Sequence, residues 1–123
     1  MLIAGDLNAG PGVSESNFRQ ILNAGFVSLH DFRHGEVLDP TWDPLNPLNI
    51  DGPHKHCPPQ RIDHVFARKE DIESARVTPI SSEICLKDSI VPAAKQNVSL
   101  SDHYGLLIEL EIGSTSGAVD GTN

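Results

Sequence analysis

A proline-rich segment at residues 34–59 limits what this chain can fold into more than any other part of the sequence. It carries six prolines and many Asp, Asn and Gly residues. Because proline fixes φ and lacks a backbone N–H, neither a helix nor a central strand can run through the segment. A loop this long in a compact domain is usually functional or disordered. The only tryptophan, Trp42, favours an ordered loop in which the ring packs against neighbours rather than contacting a substrate.

Three segments with strand character flank this loop. The apolar run MLIA at residues 1–4 is typical of a strand buried on both faces, and Gly5 marks its end. After the loop, RIDHVFAR at residues 61–68 and YGLLIELEI at residues 104–112 are strong strand candidates, and the second alternates apolar and polar side chains. The sequence therefore predicts one strand before the loop and at least two after it.

One helix is predicted between the first strand and the loop. Ser14 is its N-cap candidate, and Phe18, Ile21 and Leu22 form an apolar stripe at helical spacing. The helix is expected to run to about residue 24, because Gly25 is a natural C-terminal stop.

The remaining segments have weaker patterns. Residues 26–32 fit a short strand or a turn equally well. Residues 74–80 predict a strand that ends at Pro79, and residues 81–100 predict a loop or a helix fragment around residues 88–91. Residues 113–123 are rich in Gly, Ser and Thr, which predicts a disordered tail.

The composition is that of one small domain, assigned to residues 1–112. Of 123 residues, 38% are hydrophobic, and no apolar run is long enough to span a membrane. The 17 acidic residues against 9 Lys and Arg give a formal net charge of -8, which argues against a broad basic surface for nucleic acid and suits a divalent cation. Cys57 and Cys85 are more typical of free thiols than of a disulfide framework.

Polar side chains stand at the ends of all the strong strand candidates. Asp6 and Asn8 follow the first strand, Asp63 lies near the start of the second, and Asp102 and His103 precede the last. Hydrolysis of a phosphate ester needs a group that positions water, a neutral donor to a phosphate oxygen, a cation and an imidazole. These five side chains include the parts of such a site.

In this interpretation each side chain has one role. Asp6 orients the attacking water, and Asn8 donates a hydrogen bond to the phosphate. His103 acts as a base or as a charged stabiliser, and Asp63 holds its ring in one tautomer. Asp102 helps to bind a hard cation such as Mg²⁺, which prefers oxygen ligands.

Plainer alternatives remain open for the same residues. Asp6 and Asn8 also suit a turn in which their side chains bond the nearby backbone. Asp63 also suits a structural hydrogen bond to a backbone N–H or to Arg61, since buried carboxylates are seldom left without a partner. An isolated Asp-His pair is more often structural than catalytic.

A separate alternative is a zinc site in the proline-rich segment. His54, His56 and Cys57 follow the compact spacing His-x-His-Cys, and both nitrogen and thiolate sulfur are zinc ligands. A fourth ligand is not evident and prolines flank the group, so a plain polar loop is the favoured interpretation.

Three ordered motifs resemble those of one protein family. GDLN at residues 5–8, RIDHVF at residues 61–66 and SDHY at residues 101–104 are similar to motifs in the C-terminal half of the endonuclease/exonuclease/phosphatase superfamily, which has the deoxyribonuclease-I-like fold. Its members are metal-dependent phosphodiesterases or phosphomonoesterases, including nucleases, sphingomyelinases and inositol-phosphate phosphatases. LHD at residues 29–31 and the Thr-Trp pair at residues 41–42 look closest to sphingomyelinase-like or general bacterial-type members.

The resemblance implies a hydrolase and assigns its site. Asp6 corresponds to the catalytic Asp, and Asn8 to the phosphate-contacting Asn. Asp63 corresponds to the acid that supports the histidine, His103 to the catalytic imidazole, and Asp102 to the closing acid of the metal site. The implied cofactor is Mg²⁺, with Mn²⁺ as the alternative. The implied substrate is a phosphate ester, whether nucleic acid, phospholipid or small phosphoester.

The resemblance also implies that the chain is part of a larger domain. The family fold is a four-layer α/β sandwich with mostly antiparallel sheets, and its N-terminal half supplies the Glu that is the main magnesium ligand. Residues 1–112 resemble only the C-terminal half, so the missing N-terminal half is an expected partner. Alone, the chain is expected to be inactive and to associate through an exposed apolar sheet face.

Two further expectations accompany this resemblance. The position after Asp63 is usually aromatic in the family and is His64 here, a change that is expected to alter packing or loop contacts. The alternative to an enzyme is a non-catalytic remnant or a binding module that keeps the same fold and the same residues without turnover.

Overall fold

The computed structural model of this protein describes residues 1–88, 90–93 and 96–113. They form a mixed α/β structure with antiparallel sheets and few helices. The elements in chain order are β1 Leu2–Asp6, α1 Glu15–Asn23, β2 Phe26–Ser28, α2 Leu29–His34, β3 Asp63–Arg68, α3 Lys69–Glu73, β4 Val77–Cys85, β5 Ile90–Ala93, β6 Gln96–Ser99 and β7 Gly105–Ile112. The predicted tail lies outside the described residues except for Gly113.

The strands form three antiparallel sheets within the described ranges. One sheet has the order β1-β3-β2, a second pairs β4 with β7, and a third pairs β5 with β6. The strands predicted at residues 61–68 and 104–112 are confirmed as β3 and β7. The predicted antiparallel, mixed α/β class is therefore confirmed.

The opening strand differs from the prediction in its burial. The opening strand is present as β1, but it starts at Leu2 and continues past the predicted end at Gly5 to Asp6. Met1, which precedes it, is 65% exposed, Leu2 is 45% exposed, and Ala4 is also exposed. The expectation of burial on both faces is wrong for the described chain, because Ile3 packs against the core on one face while Leu2 and Ala4 on the opposite face are exposed. β1 is also the edge of its sheet, where β3 is its one described strand partner. An edge strand presents unpaired backbone groups that favour pairing with another segment.

The predicted helix is confirmed as α1, with a difference at its N-terminus. Ser14 is the N-cap, but its φ of 46° is left-handed and its side chain makes no capping hydrogen bond. Gly25 follows the helix with a φ of 92°, and its N–H donates to the Leu22 carbonyl over 3.1 Å. A residue with this φ ends a helix, and glycine adopts it without the steric cost that a Cβ imposes.

Several short elements were not predicted or were predicted wrongly. Residues 26–32 contain both a strand and the start of α2, and α3 follows β3 directly. The predicted strand end at Pro79 is wrong, because β4 continues through a register shift between Pro79 and Ser81 that accommodates the missing N–H. The prediction of a loop or a helix fragment within residues 81–100 is also wrong, since β4 extends to Cys85 and strands β5 and β6 occupy Ile90–Ala93 and Gln96–Ser99.

The core lies on both faces of β3. Phe66 packs with Ala9 and Phe18 on the face that α1 covers. Ala67 packs on the other face with Leu29 and Val77, together with partly buried side chains from β7. Because alternate residues of a strand point to opposite faces, one six-residue strand organises both clusters.

His64 takes its place within the aromatic face of β3. The centroid of its ring lies 5.0 Å from the ring centroid of Phe18 and 5.3 Å from that of Phe66. Nε2 donates to the Ala9 carbonyl over 2.7 Å, whereas the buried Nδ1 atom has no hydrogen-bond partner among the described residues. Burial lowers the pKa of His64, against the opposing effect of the Ala9 hydrogen bond, because a charged ring would lose its hydration.

We expect His64→Phe to remove part of the acid sensitivity of this fold. Between the lowered folded pKa and the unfolded value of 6.5, the unfolded chain binds the proton more readily, so the wild type loses stability as the pH falls below about 6.5. Phenylalanine loses the bond to Ala9 but carries no proton. Urea denaturation should show the free energy of unfolding of the variant improving relative to wild type from pH 7 to pH 5. A pH-independent difference would contradict the assigned burial effect.

The remaining findings concern the loop, the thiols and membranes. Residues 35–62 contain no helix or strand, as predicted, and Trp42 is 8% exposed, as expected of an ordered loop. Cys57 and Cys85 are both free, which confirms that prediction. Across the described ranges no helix has the length and apolar character needed to cross a membrane.

Candidate functional site

Strand pairing brings two of the predicted residues side by side. Asp6 at the end of β1 is the register partner of Asp63 at the start of β3. Directly opposed residues of antiparallel strands share a face of the sheet, so the two carboxylates lie on the same side. This juxtaposition follows from the registration of the two strands.

The proline-rich loop brings the third residue to the same place. Trp42 forms an isolated bridge with His103, and the Tyr104 N–H donates to the Thr41 carbonyl over 2.6 Å. The Thr41 hydroxyl accepts hydrogen bonds from the backbone N–H groups of Ile62 and Asp63 at 3.1 and 3.2 Å. Thr41 is fully buried and thus links the start of β3 to the segment that carries His103.

His103 lies between the two carboxylates. Its Nδ1 atom donates to Oδ2 of Asp63 over 2.7 Å, and its Nε2 atom lies 3.9 Å from Oδ2 of Asp6. The side chains are partly exposed, at 25% for His103, 23% for Asp63 and 41% for Asp6. Because Asp63 accepts from Nδ1, Nε2 is the ring atom that is free to act on a bound group.

The surrounding charge alters the titration of His103. Burial alone would lower its pKa, but the hydrogen bond to Asp63 and the charges of Asp63, Asp102 and Asp6 together raise the pKa above the ordinary 6.5. Three carboxylates therefore favour the protonated ring.

Asp6 also has the structural role that a turn residue would have. Its Oδ1 atom accepts the backbone N–H of Asn8 over 2.9 Å, and Asn8 has a left-handed φ of 50°. This contact agrees with the interpretation of Asp6 and Asn8 as turn residues. It uses one carboxylate oxygen, while the other oxygen, Oδ2, is the atom nearest to His103. The two interpretations of Asp6 are therefore compatible.

A cavity of about 270 Å³ adjoins His103, and we call it the His103 cavity. The predicted site residues Asn8, Asp102 and His103 line one part of it. The proline-rich loop and the approach to β3 provide the rest of the lining, namely Trp42, His54, Cys57, Gln60 and Ile62. Asp6 and Asp63 border a separate cleft of about 290 Å³ between β1, β3 and the start of β7. The His103 ring thus stands where the cavity meets the two carboxylates.

Three side chains that can each offer a metal-ligand atom meet at His103. One ligand atom each from Asp6, Asp63 and His103 lies within 4.8 Å of the others, and no other such group of three occurs in the described part of the chain. Carboxylate oxygens suit Mg²⁺, and a mixed set with imidazole also suits Mn²⁺, so the cluster does not select one metal. Asp102, the predicted metal ligand, is not in the cluster; it lines the cavity, exposed, beside the Ser101 hydroxyl.

The zinc alternative gains no support from the geometry. His54, His56 and Cys57 are all described, yet their ligand atoms do not form a close group. His54 and His56 are both exposed in a series of turns. His54 and Cys57 line the His103 cavity, and His56 does not. These residues therefore belong to the lining of the site rather than to a zinc centre of their own.

Sequence reasoning missed the residues that connect the loop to the site. The sequence identifies Thr41 only as the neighbour of Trp42, and it identifies the loop asparagines only as turn formers. Asn46 and Asn49 are 1% and 6% exposed, and each donates to a backbone carbonyl next to His103. Buried asparagines within a proline-rich loop are a weak signal of such contacts, because the sequence does not state which carbonyl they reach.

Comparison of the chain with protein-family models, with curated proteins and with solved structures found no match. The fold and site therefore rest on the chain itself. They define a mixed α/β protein with an Asp-Asp-His cluster beside a polar cavity.

Proposed function

We propose that this protein is a metal-dependent phosphoesterase of the endonuclease/exonuclease/phosphatase type. The observation that carries the proposal is the position of His103, with Nδ1 bonded to Asp63 and Nε2 3.9 Å from Asp6 at the edge of a cavity. A general acid or base needs a ring held in one tautomer with its second nitrogen free toward the reacting group. The three motifs that supply these residues are the ones that resemble the family.

The proposed roles follow from what each side chain faces. Asp63 holds the ring, so His103 acts on the phosphoryl group through Nε2. Asp6 orients the attacking water with Oδ2, since Oδ1 is engaged with the Asn8 backbone. The Asn8 side chain lines the same cavity as His103 and donates to a non-bridging phosphate oxygen.

The proposed cofactor is Mg²⁺, with Mn²⁺ as the alternative. Asp6, Asp63 and Asp102 supply the carboxylates near His103, and the first two belong to the close donor group. When bound, the cation supplies charge stabilisation to the phosphoryl oxygens. The acidic cluster attracts such an ion in a chain whose formal net charge is -8.

The proposed domain is larger than the described fold. We assign the chain to the C-terminal half of a four-layer α/β sandwich, with a complementary N-terminal half as its partner. The exposed apolar side chains at β1 support this, because Leu2 of the strand is 45% exposed and Met1, which directly precedes the strand, is 65% exposed. A covering segment would pair with the edge and bury these side chains.

The proposed substrate is a phosphate ester, whether nucleic acid, phospholipid or small phosphoester. Among the described residues, no Lys or Arg lines the His103 cavity, so a second phosphate group would find no fixed cation there. His54 and Cys57 present small polar groups, and about 270 Å³ holds a compact organic group. Nucleic acid and phospholipid remain substrate classes to be compared with small phosphoesters.

The test is a hydrolysis assay on the extended protein. The chain is expressed together with any in-frame segment encoded upstream of Met1, and bis(p-nitrophenyl) phosphate and p-nitrophenyl phosphate are supplied with Mg²⁺ or Mn²⁺. We expect hydrolysis that EDTA abolishes and that either metal restores, and no hydrolysis by the isolated chain. A folded extended protein that hydrolyses neither ester and binds neither metal would overturn the proposal and favour the non-catalytic binding module.

A further inference from the structure

The side chains of Ser101 and Asp102 do little to fix the position of the segment that carries Asp102 and His103. Ser101 and Asp102 are both exposed, so burial does not fix them. The Ser101 hydroxyl accepts the His103 N–H over 3.1 Å, which is a contact within the segment itself. Yet His103 must keep a 2.7 Å bond to Asp63, which lies forty positions earlier in the chain. Another part of the molecule therefore has to fix the backbone of this segment.

Two buried amides of the proline-rich loop contribute to that connection, beside the Trp42–His103 bridge and the hydrogen bond from the Tyr104 N–H to the Thr41 carbonyl. Nδ2 of Asn46 donates to the Ser101 carbonyl over 3.0 Å, and Nδ2 of Asn49 donates to the Asp102 carbonyl over 2.8 Å. The amides thus bind the two consecutive carbonyls that precede His103. At 1% and 6% exposure, the two asparagines are shielded from the water that would otherwise compete for these bonds.

Each amide is also fixed within the loop. Oδ1 of Asn46 accepts the Leu48 N–H over 2.9 Å, and Nδ2 of Asn49 also donates to the Asp43 carbonyl over 2.9 Å. A side-chain amide that is bonded to two backbone segments transmits the position of one to the other, because neither segment can move without losing a hydrogen bond. The proline-rich loop is therefore built as a support for the segment as well as a wall of the cavity.

We infer that Asn46 and Asn49 are positioning residues that hold the segment carrying Asp102 and His103 in register with Asp63. The inference rests on the proposed function only for the catalytic roles of Asp102 and His103; the positioning itself is a statement about the structure. A phosphoesterase site needs its imidazole held within a fraction of an ångström, and these amides supply that precision from outside the cluster. Neither asparagine touches the reacting atoms.

The test compares Asn49→Ala with Ser82→Ala as the matched control. Ser82 is 4% exposed on β4, and its hydroxyl bonds Nδ1 of His30 over 2.6 Å, so this variant also loses a buried hydrogen bond but outside the loop and the segment. Urea denaturation measures the stability of each variant. Amide hydrogen exchange at Tyr104, with Phe66 of β3 as the internal reference, measures the local anchoring of the segment. The NMR signal of the His103 Nδ1 proton reports its bond to Asp63.

In Asn49→Ala we expect the exchange rate of the Tyr104 amide to rise, relative to wild type, by about five- to tenfold more than the rate of the Phe66 amide. This is the effect of one lost hydrogen bond. The His103 Nδ1 proton signal should broaden or move upfield. In Ser82→Ala we expect equal changes at both amides and an unchanged His103 signal. Equal amide changes and an unchanged Nδ1 signal in Asn49→Ala would overturn the inference.

A second variant keeps the test decisive if Asn49→Ala does not fold. Asn46→Asp retains an acceptor for the Leu48 N–H but replaces the donor that binds the Ser101 carbonyl, and the same local changes are expected. Failure of both variants to fold would also overturn the inference, since the amides would then serve the whole fold. None of these measurements uses substrate or metal, so their outcome is independent of whether the phosphoesterase proposal succeeds.

Discussion

Replacing Arg61 with methionine is expected to lower the free energy of unfolding by about 3–5 kcal/mol, a large part of the stability of a small domain. Arg61 is fully buried and pairs with Asp31 of α2, whose side chain is 15% exposed. Methionine fills much of the same volume but provides no donor. The variant therefore leaves a carboxylate without its partner in a largely buried position.

The guanidinium also satisfies backbone groups of the loop that precedes β3. Its Nε atom donates to the Leu38 carbonyl over 3.0 Å, and one terminal nitrogen donates to the Val37 carbonyl over 3.2 Å. The other terminal nitrogen lies 3.5 Å from the Ser28 hydroxyl. Arg61→Lys is expected to recover only a small part of the stability, because one ammonium cannot reproduce the planar fork that reaches all these acceptors.

The matched control is Arg19→Met, which removes the same charge from the surface. Arg19 pairs with Glu36 over 3.1 Å, and the two side chains are 48% and 64% exposed. An exposed pair of this kind contributes at most about 1 kcal/mol, since solvent screens it. Urea denaturation of both variants at pH 7 checks the contrast. A loss for Arg61→Met no larger than that for Arg19→Met would contradict the role assigned to the buried network.

The strands that carry the site could be predicted because their patterns are local. Residues 61–68 and 104–112 hold enough apolar side chains to specify a strand without reference to the rest of the chain. Asp63, Asp102 and His103 were recognised from their places at the ends of these strands, and the register of β1 with β3 brings Asp6 beside Asp63. Those features depend on short-range pattern and on one strand pairing.

The parts that could not be predicted depend on contacts across the chain. The partner of Arg61 is Asp31, thirty positions away, although Asp63 was the nearer candidate in sequence. Helices α2 and α3 have six and five residues, too few to show a helical period. The extension of β4 past Pro79 depends on pairing with β7, which overrides the local tendency of proline to end a strand.

The burial of the first strand illustrates the same limit. An apolar run predicts that something covers the strand, but it does not state whether the cover lies in the same described chain. Leu2 is 45% exposed, so the apolar run predicts more burial than the described fold provides. The loop asparagines are the opposite case, since polar residues that looked like turn formers are nearly completely buried.

His103→Ala in the extended, metal-loaded protein is expected to lower the rate of phosphate-ester hydrolysis by roughly 10²- to 10⁴-fold, the range for loss of a positioned acid or base. Alanine removes the Nε2 atom that faces Asp6 and also the donor to Asp63. Asp63→Asn is expected to give a smaller loss, because the ring stays but its Nδ1 partner no longer carries a charge. Steady-state assays with bis(p-nitrophenyl) phosphate at saturating Mg²⁺ measure both effects.

The control for this prediction is His56→Ala, which removes an exposed imidazole from the proline-rich loop. His56 is not among the residues that line the His103 cavity, so its loss should leave the rate unchanged. Equal rate losses in the two histidine variants would point to a general effect of losing an imidazole rather than to His103. An undiminished rate in a folded His103→Ala protein would remove His103 from the mechanism, and the 2.7 Å bond to Asp63 would then have only a structural role.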